Sequence, residues 1–214
     1  MPTVLLFLPL GYLLGTFPSA ALVANAFGRD ITREGSGNPG ASNTFRLLGW
    51  KAGLAVLVLD IGKGALAAGG GLTLDGHRGA YLLGVAAVLG HVFPITRRFR
   101  GGRGVATAAG VLGVIFPLVF GVLFFVWAAI ARGLHKASVA SLACAVLFPA
   151  IVIARGAGAL DITVTVGLAL VVLVRHGNNL RRLVRGEEHG LAVDATSGEK
   201  IPEVPPDEAG NVTG

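Results

Sequence analysis

Apolar residues in this chain fall in long blocks rather than in alternating runs. The blocks cover about 3–25, 52–73, 79–95, 104–131, 137–154 and 159–174. Crossing a hydrocarbon core takes about 20 mainly apolar residues in a helix. Most of the blocks are near that length, and 104–131 exceeds it. As one helix it would be about 42 Å long, against a core of about 30 Å. Gly110, Gly113 and Pro117 interrupt its middle. The first block has no basic residue before Arg29. Without a basic leader region, Met1 to Ala24 predicts a retained helix whose N-terminus lies outside.

Composition agrees with membrane helices. The 214 residues are 53% hydrophobic and 14% charged, where ordinary globular domains carry roughly 25% charged residues. That balance excludes a soluble enzyme, a disordered chain and a disulfide scaffold. The single cysteine, Cys144, lies in an apolar run and reads as a small buried hydrophobe. The net charge of +6 fits loops facing anionic lipid better than it fits nucleic acid.

Charge placement decides whether 104–131 crosses once or twice. With a turn near Phe116-Pro117 there are seven transmembrane helices. Fifteen of the 18 Lys and Arg residues then share the inner side. Only Arg78 and Arg155 fall outside, and Lys63 lies within a span. The positive-inside rule favours this arrangement. The predicted fold is therefore an all-α integral membrane protein with two short helices, about 104–116 and 118–131. Its N-terminus is outside and its C-terminus cytoplasmic. Short helices need shielding by neighbours, which suggests that they line a site. Residues 1–189 form the membrane-embedded domain, and 190–214, with three prolines and scattered acids, reads as a disordered cytoplasmic tail.

Three polar segments fall on the predicted inner side. The first runs from Gly35 to Arg46 and holds Ser36, Gly37, Asn38, Gly40 and Asn43. Its glycines and Pro39 forbid a regular helix through Gly40 and favour turns whose N–H groups cradle an anion. The second holds Gly90-His91, then Arg97, Arg98, Arg100, Gly101, Gly102, Arg103, Gly104 and Thr107. A glycine turn opening a helix at Gly104 is an anion site, though it lacks the Gly-Lys-Ser/Thr ending of a Walker A loop. The third begins at Arg175-His176 and continues through Asn179, Arg181 and Arg182 to Glu187-Glu188. His176 and Asn179 share a helical face, which a plain positive-inside stop signal does not explain. Asp60 and Lys63 lie three apart within the second span, where charges are paired or functional.

Other signatures are absent or discounted. The sequence has no zinc-spaced Cys/His cluster, no Gly-x-Ser-x-Gly elbow and no pair of intramembrane aspartates, so no metal or cofactor is expected. A His-x4-Asp pattern at His189 and Asp194 is within chance expectation and lies at the start of the tail.

Together, the three segments resemble the bacterial integral-membrane acyl-phosphate:glycerol-3-phosphate acyltransferases. The resemblance rests on Ser36 to Gly40 with Asn43 and Arg46, on Gly101 to Thr107, on Arg175-His176 with Asn179 and Arg182-Leu183, and on Asp60 to Gly64. It covers about residues 1–188. Two positions depart from it: the family usually has Lys at Arg103 and Arg at Gly177. The resemblance implies transfer of a fatty acyl group from acyl phosphate to the 1-hydroxyl of glycerol 3-phosphate, giving lysophosphatidic acid and inorganic phosphate. This is the first step of phospholipid synthesis, carried out by a monomer at the cytoplasmic face of the inner membrane. Ser36, Asn38 and Arg46 would hold acyl phosphate, and Gly37, Gly40, Asn43, Lys63 and Glu188 would also bind substrate. Gly101, Gly102, Arg103, Gly104 and Thr107 would hold glycerol 3-phosphate. His176 and Asn179 would orient the reacting groups. His91, His176 or a substrate phosphate could take the proton. A transporter of a phosphorylated metabolite would also use glycine-rich anion loops. It should show internal repeats and polar residues at the midplane of several helices, and the sequence has neither.

Overall fold

The computed structural model describes residues 3–191. The predicted tail, except Gly190 and Leu191, lies outside the described residues. Among those residues every regular element is a helix. The chain opens with a 3-10 turn, Thr3–Phe7, then α1, Leu8–Gly15, and α2, Ser19–Asn25. The break between α1 and α2 falls at Pro18, which has no N–H to continue a helix.

α3, Ala41–Val92, is interrupted at Gly49 (φ 83) and at Asp75 and Gly76 (φ −150 and 55). Residues 41–48 form a short opening helix, and 50–74 and 77–92 are two limbs. The limbs form a hairpin. Gly71 and Gly79 would be about 12 Å apart along a straight helix. Instead, a Cβ on either would strike the other's carbonyl oxygen. α4 is Val105–Ile115, α5 Pro117–Leu134, α6 Ala137–Ala154, α7 Ala159–Arg175 and α8 Gly177–Val184.

Among the described residues, four helical runs are long and apolar enough to cross a membrane: Thr3–Asn25, Ala41–Arg97, Pro117–Leu134 and Ala137–Ala154. A fifth exists if α7 and α8, bent by 55°, count as one. The hairpin divides Ala41–Arg97 into two limbs, and α4 is a shorter apolar helix. Each of the seven segments predicted from sequence thus has a helical counterpart.

The predicted break near Phe116 is present, with Phe116 at φ −129 and Pro117 opening α5. One expectation is corrected. Of the two helices expected to be short, only α4, with 11 residues, is so; α5 has 18. Proline is tolerated in the first turn of a helix, so α5 starts at Pro117 and runs on until His135 turns left-handed (φ 53). Shielding follows length. α4 buries Thr107, Ala108, Gly110, Val111, Leu112 and Ile115, whereas α5 exposes Leu118, Val122 and Phe125. Close backbone contact makes this burial possible: a Cβ on Gly64 would meet the Thr107 carbonyl, and one on Gly110 the Ile61 carbonyl. Val88, Val111, Leu112, Phe148 and Val152 centre the main core around α4.

Candidate active site

The three polar segments meet at one end of the bundle. The first is a loop tied from within. Arg29 Nε donates to Glu34 Oε2 at 2.9 Å, and Gly35 and Gly37 take the left-handed φ (57 and 65) that the turn demands. Asn43, 1% exposed, holds it to α3. Its Nδ2 donates to the carbonyls of Ile31 at 3.2 Å and Glu34 at 3.1 Å. Its Oδ1 accepts from the Ser36 N–H at 3.0 Å and from Arg46 Nη1 at 3.3 Å. Asn43 is thus committed to shaping the loop, and Ser36, Asn38 and Arg46 line a small polar pocket.

The second segment is anchored on both faces. The Gly102 N–H donates to the His91 carbonyl at 3.1 Å. Arg175 donates to the carbonyls of Gly101 at 3.0 Å and Gly102 at 3.3 Å. The Gly102 amide is therefore spent, and what the turn offers a ligand is Arg103 and the start of α4. Gly104 (φ 83) caps α4, whose first bond runs from the Ala108 N–H to the Gly104 carbonyl at 2.8 Å. The amides before Ala108 have no helical partner. Burial pushes the Arg103 guanidinium down to about 10, with Glu188 pulling it back up, so it stays charged at neutral pH.

The third segment supplies the join of α7 and α8. His176, 1% exposed, has Nδ1 2.8 Å from the Val172 carbonyl. A carbonyl can only accept, so Nδ1 carries the proton and Nε2 keeps a free lone pair. Asn179 Nδ2 donates to Glu188 Oε1 at 2.5 Å, and Arg182 Nε to Glu188 Oε2 at 3.0 Å. Burial opposes the Glu188 charge, yet the side chains of Asn179, Ser138 and Arg182 together outweigh it and hold the carboxyl below its ordinary range. Just beyond, the Gly190 carbonyl accepts from Arg46 Nε at 2.8 Å.

Two pockets adjoin here. The polar one is lined by Ser36, Asn38, Ser42, Asn43, Arg46, Arg103, Ser138, Asn179, Arg182 and Glu188. Three of its buried atoms, Ser138 Oγ, Asn179 Oδ1 and Arg182 Nη2, have no hydrogen-bond partner. An unpaired buried group costs about 1–3 kcal/mol, a cost that a ligand can remove. The serine and arginine call for an oxygen acceptor, and the asparagine oxygen calls for a hydroxyl or N–H donor. The second pocket is an apolar cavity of about 440 Å³, walled by α4 to α6 through Leu112, Phe120, Leu123, Phe124, Trp127 and Phe148. Asn38, Arg103 and Ser138 border both pockets.

Of the residues singled out from sequence, Ser36, Asn38, Asn43, Arg46, Arg103, Asn179 and Glu188 line the polar pocket. Gly40, Gly104, His91 and His176 line the apolar cavity. Gly37, Gly101, Gly102, Lys63 and Thr107 line neither. Lys63 is spent on protein: its Nζ lies 2.9 Å from Asp60 Oδ1, 2.7 Å from His91 Nδ1 and 3.2 Å from the Phe17 carbonyl. Sequence reasoning missed Ser138 and Arg182 as pocket residues. Arg182 is one turn beyond Asn179 on the face that spacing already marked. Ser138 follows Lys136 at an apolar boundary and carries no comparable signal. Among the described residues no three His, Cys, Asp or Glu side chains converge to hold a metal ion.

Comparison with known proteins gives a consistent picture. The family model for glycerol-3-phosphate acyltransferase matches residues 5–186. A glycerol-3-phosphate acyltransferase of Salinibacter ruber is 40% identical over 206 residues, covering 86% of this chain and 90% of that protein. One of Bacillus cytotoxicus is 42% identical over 186 residues, covering 86% and 92%. Among solved structures, PlsY, an integral membrane glycerol 3-phosphate acyltransferase in its glycerol 3-phosphate form, superposes with a TM-score of 0.83 at 33% identity, covering 88% of this chain and 95% of that one. Its lysophosphatidic acid form superposes with a TM-score of 0.81.

Proposed function

The chain belongs to the glycerol-3-phosphate acyltransferase family, and we propose that it moves a fatty acyl group from acyl phosphate to the 1-hydroxyl of glycerol 3-phosphate. The products are lysophosphatidic acid and inorganic phosphate. One observation carries this reading: an apolar cavity and a polar, arginine-bearing pocket adjoin, with Arg103 in the wall of both. A long acyl chain suits the first, and a small phosphorylated polyol suits the second.

The roles follow from the free atoms. The acyl chain lies along α4 to α6, and the acyl phosphate head meets Asn38, Arg103 and the unpaired amides opening α4. Glycerol 3-phosphate places its phosphate against Arg46, Arg182 Nη2 and Ser138 Oγ. Its hydroxyl donates to Asn179 Oδ1. The oxygen of the 1-hydroxyl attacks the acyl carbon, the bond from that carbon to the phosphate oxygen breaks, and phosphate departs. His176 Nε2, a free acceptor, takes the hydroxyl proton and passes it to the leaving phosphate. His91 does not compete for this task, because its Nδ1 lone pair faces the Lys63 ammonium. A mixed anhydride already has a good leaving group, so positioning and charge stabilisation carry the rate.

Seven membrane segments, with the N-terminus outside and the polar pocket at the cytoplasmic face of a bacterial inner membrane, suit this chemistry. Fifteen of the 18 basic residues then share the pocket's side. Both pockets are built from one chain, so a monomer suffices. Purified protein in a lipid mesophase, given both substrates, should release phosphate in step with lysophosphatidic acid. No release, or equal release without glycerol 3-phosphate, would sink the proposal.

A further inference from the structure

Ionisable side chains deep in a membrane bundle are costly unless paired. Asp60, Lys63 and His91 are buried together at 3%, 4% and 6% exposure. The Lys63 ammonium has three N–H donors, and three acceptors surround it: Asp60 Oδ1 at 2.9 Å, His91 Nδ1 at 2.7 Å and the Phe17 carbonyl at 3.2 Å. The break before Pro18 leaves that carbonyl outside the regular ladder between α1 and α2. One lysine thus ties the first helical run to both limbs of α3. An ammonium cannot accept a hydrogen bond, so His91 Nδ1 is bare and its proton is on Nε2.

His91 in turn grips the glycine turn twice. Its carbonyl accepts the Gly102 N–H at 3.1 Å. Its imidazole lies so close to the Gly102 Cα that a Cβ there would collide with Nε2. The next residue is Arg103, which borders both pockets. Arg175 closes the turn from the other face.

We propose that Asp60, Lys63 and His91 are a positioning unit that fixes the Gly101–Gly104 turn and holds the Arg103 guanidinium where the two substrates meet. The ammonium and the carboxylate cancel, so the unit adds no net charge beside the acyl cavity. Lys63 acts through His91 rather than on a substrate. This inference rests on the acyltransferase reading above.

The test removes both charges at once. In the D60N/K63M double variant no charge is stranded, so the thermal midpoint stays near the parent's, while His91 loses its donor and the turn its anchor. The KM for acyl phosphate, whose head Arg103 holds, should rise ~10-fold or more, in line with a weakened charge-assisted contact, with kcat changed less. K63M alone strands Asp60 and should lower the midpoint as well. A folded double variant with parental KM and kcat overturns the proposal. If neither variant folds, assigned ¹⁵N resonances of the unmodified protein answer the question without turnover. Unprotonated Nδ1 with protonated Nε2 on His91 is expected, and the opposite tautomer or an imidazolium overturns it. Wild-type protein that transfers no acyl group would instead sink the acyltransferase reading and leave the tautomer result standing.

Discussion

Ser138→Ala separates binding from stability. The Ser138 hydroxyl is buried in the polar pocket without a well-formed hydrogen bond, turned toward the Glu188 carboxylate, whose charge it supports. If it exists for a substrate phosphate, the free protein carries an unsatisfied hydroxyl that costs about 1–3 kcal/mol. Alanine removes that cost and leaves a gap of one oxygen atom. Thermal stability should stay level or rise, by at most ~1 kcal/mol. Binding should move the other way. A hydrogen bond to a charged group contributes about 1.5–3 kcal/mol, so kcat/KM for glycerol 3-phosphate should fall by ~10- to 150-fold. The assay pairs phosphate-release kinetics, varying glycerol 3-phosphate at saturating acyl phosphate, with a melt of the same preparation. The informative feature is the opposed signs. A lowered melting temperature with unchanged kcat/KM would mean that the hydroxyl serves Glu188 alone, and the phosphate assignment would fail.

Three further outcomes are expected. Arg46→Ala removes a guanidinium that donates to Asn43 and the Gly190 carbonyl; kcat/KM should drop by ~100-fold or more with little change in melting, and retained activity would take Arg46 out of the site. The Glu188 carboxyl sits below its ordinary value in the folded chain, so its contribution to stability is present above about pH 4.3 and is lost as pH falls through the folded value; Glu188→Gln should flatten that acid-side loss in melts from neutral pH downward, and an unchanged slope would assign the loss elsewhere. Cys144 lines the apolar cavity, so a long-chain acyl phosphate should slow its alkylation while glycerol 3-phosphate alone does not; equal rates with and without the lipid would place the acyl chain elsewhere.

The membrane layout was legible because hydropathy and charge act locally. The break at Phe116-Pro117 could be placed because Arg132 and Lys136 needed a side. α5 outruns its apolar block because the helix opens one residue earlier, at Pro117, and continues through Arg132, Gly133 and Leu134 until His135 turns left-handed. Hydropathy reads straight through the break at Pro18, because Thr16, Pro18 and Ser19 barely lower the apolar average of the first block. At the site, spacing exposed His176 with Asn179, and Asp60 with Lys63, because one helical turn brings such pairs together. It could not bring His91 to Lys63, which lies 28 residues away across the hairpin at Gly76. Nor could it show that Asn43 and Gly102 spend their polar atoms on the protein while Ser138 keeps its hydroxyl free. Those facts depend on tertiary packing, and residue types alone do not encode them.

The central claim is that acyl phosphate breaks at its acyl carbon in favour of a glycerol 3-phosphate oxygen. Acyl phosphate labelled with ¹⁸O at the oxygen bridging carbon and phosphorus follows that bond directly. With purified protein and unlabelled glycerol 3-phosphate, mass spectrometry should find the label in inorganic phosphate and none in the ester linkage of lysophosphatidic acid. Label left in free fatty acid, or phosphate released with no lysophosphatidic acid formed, would contradict it.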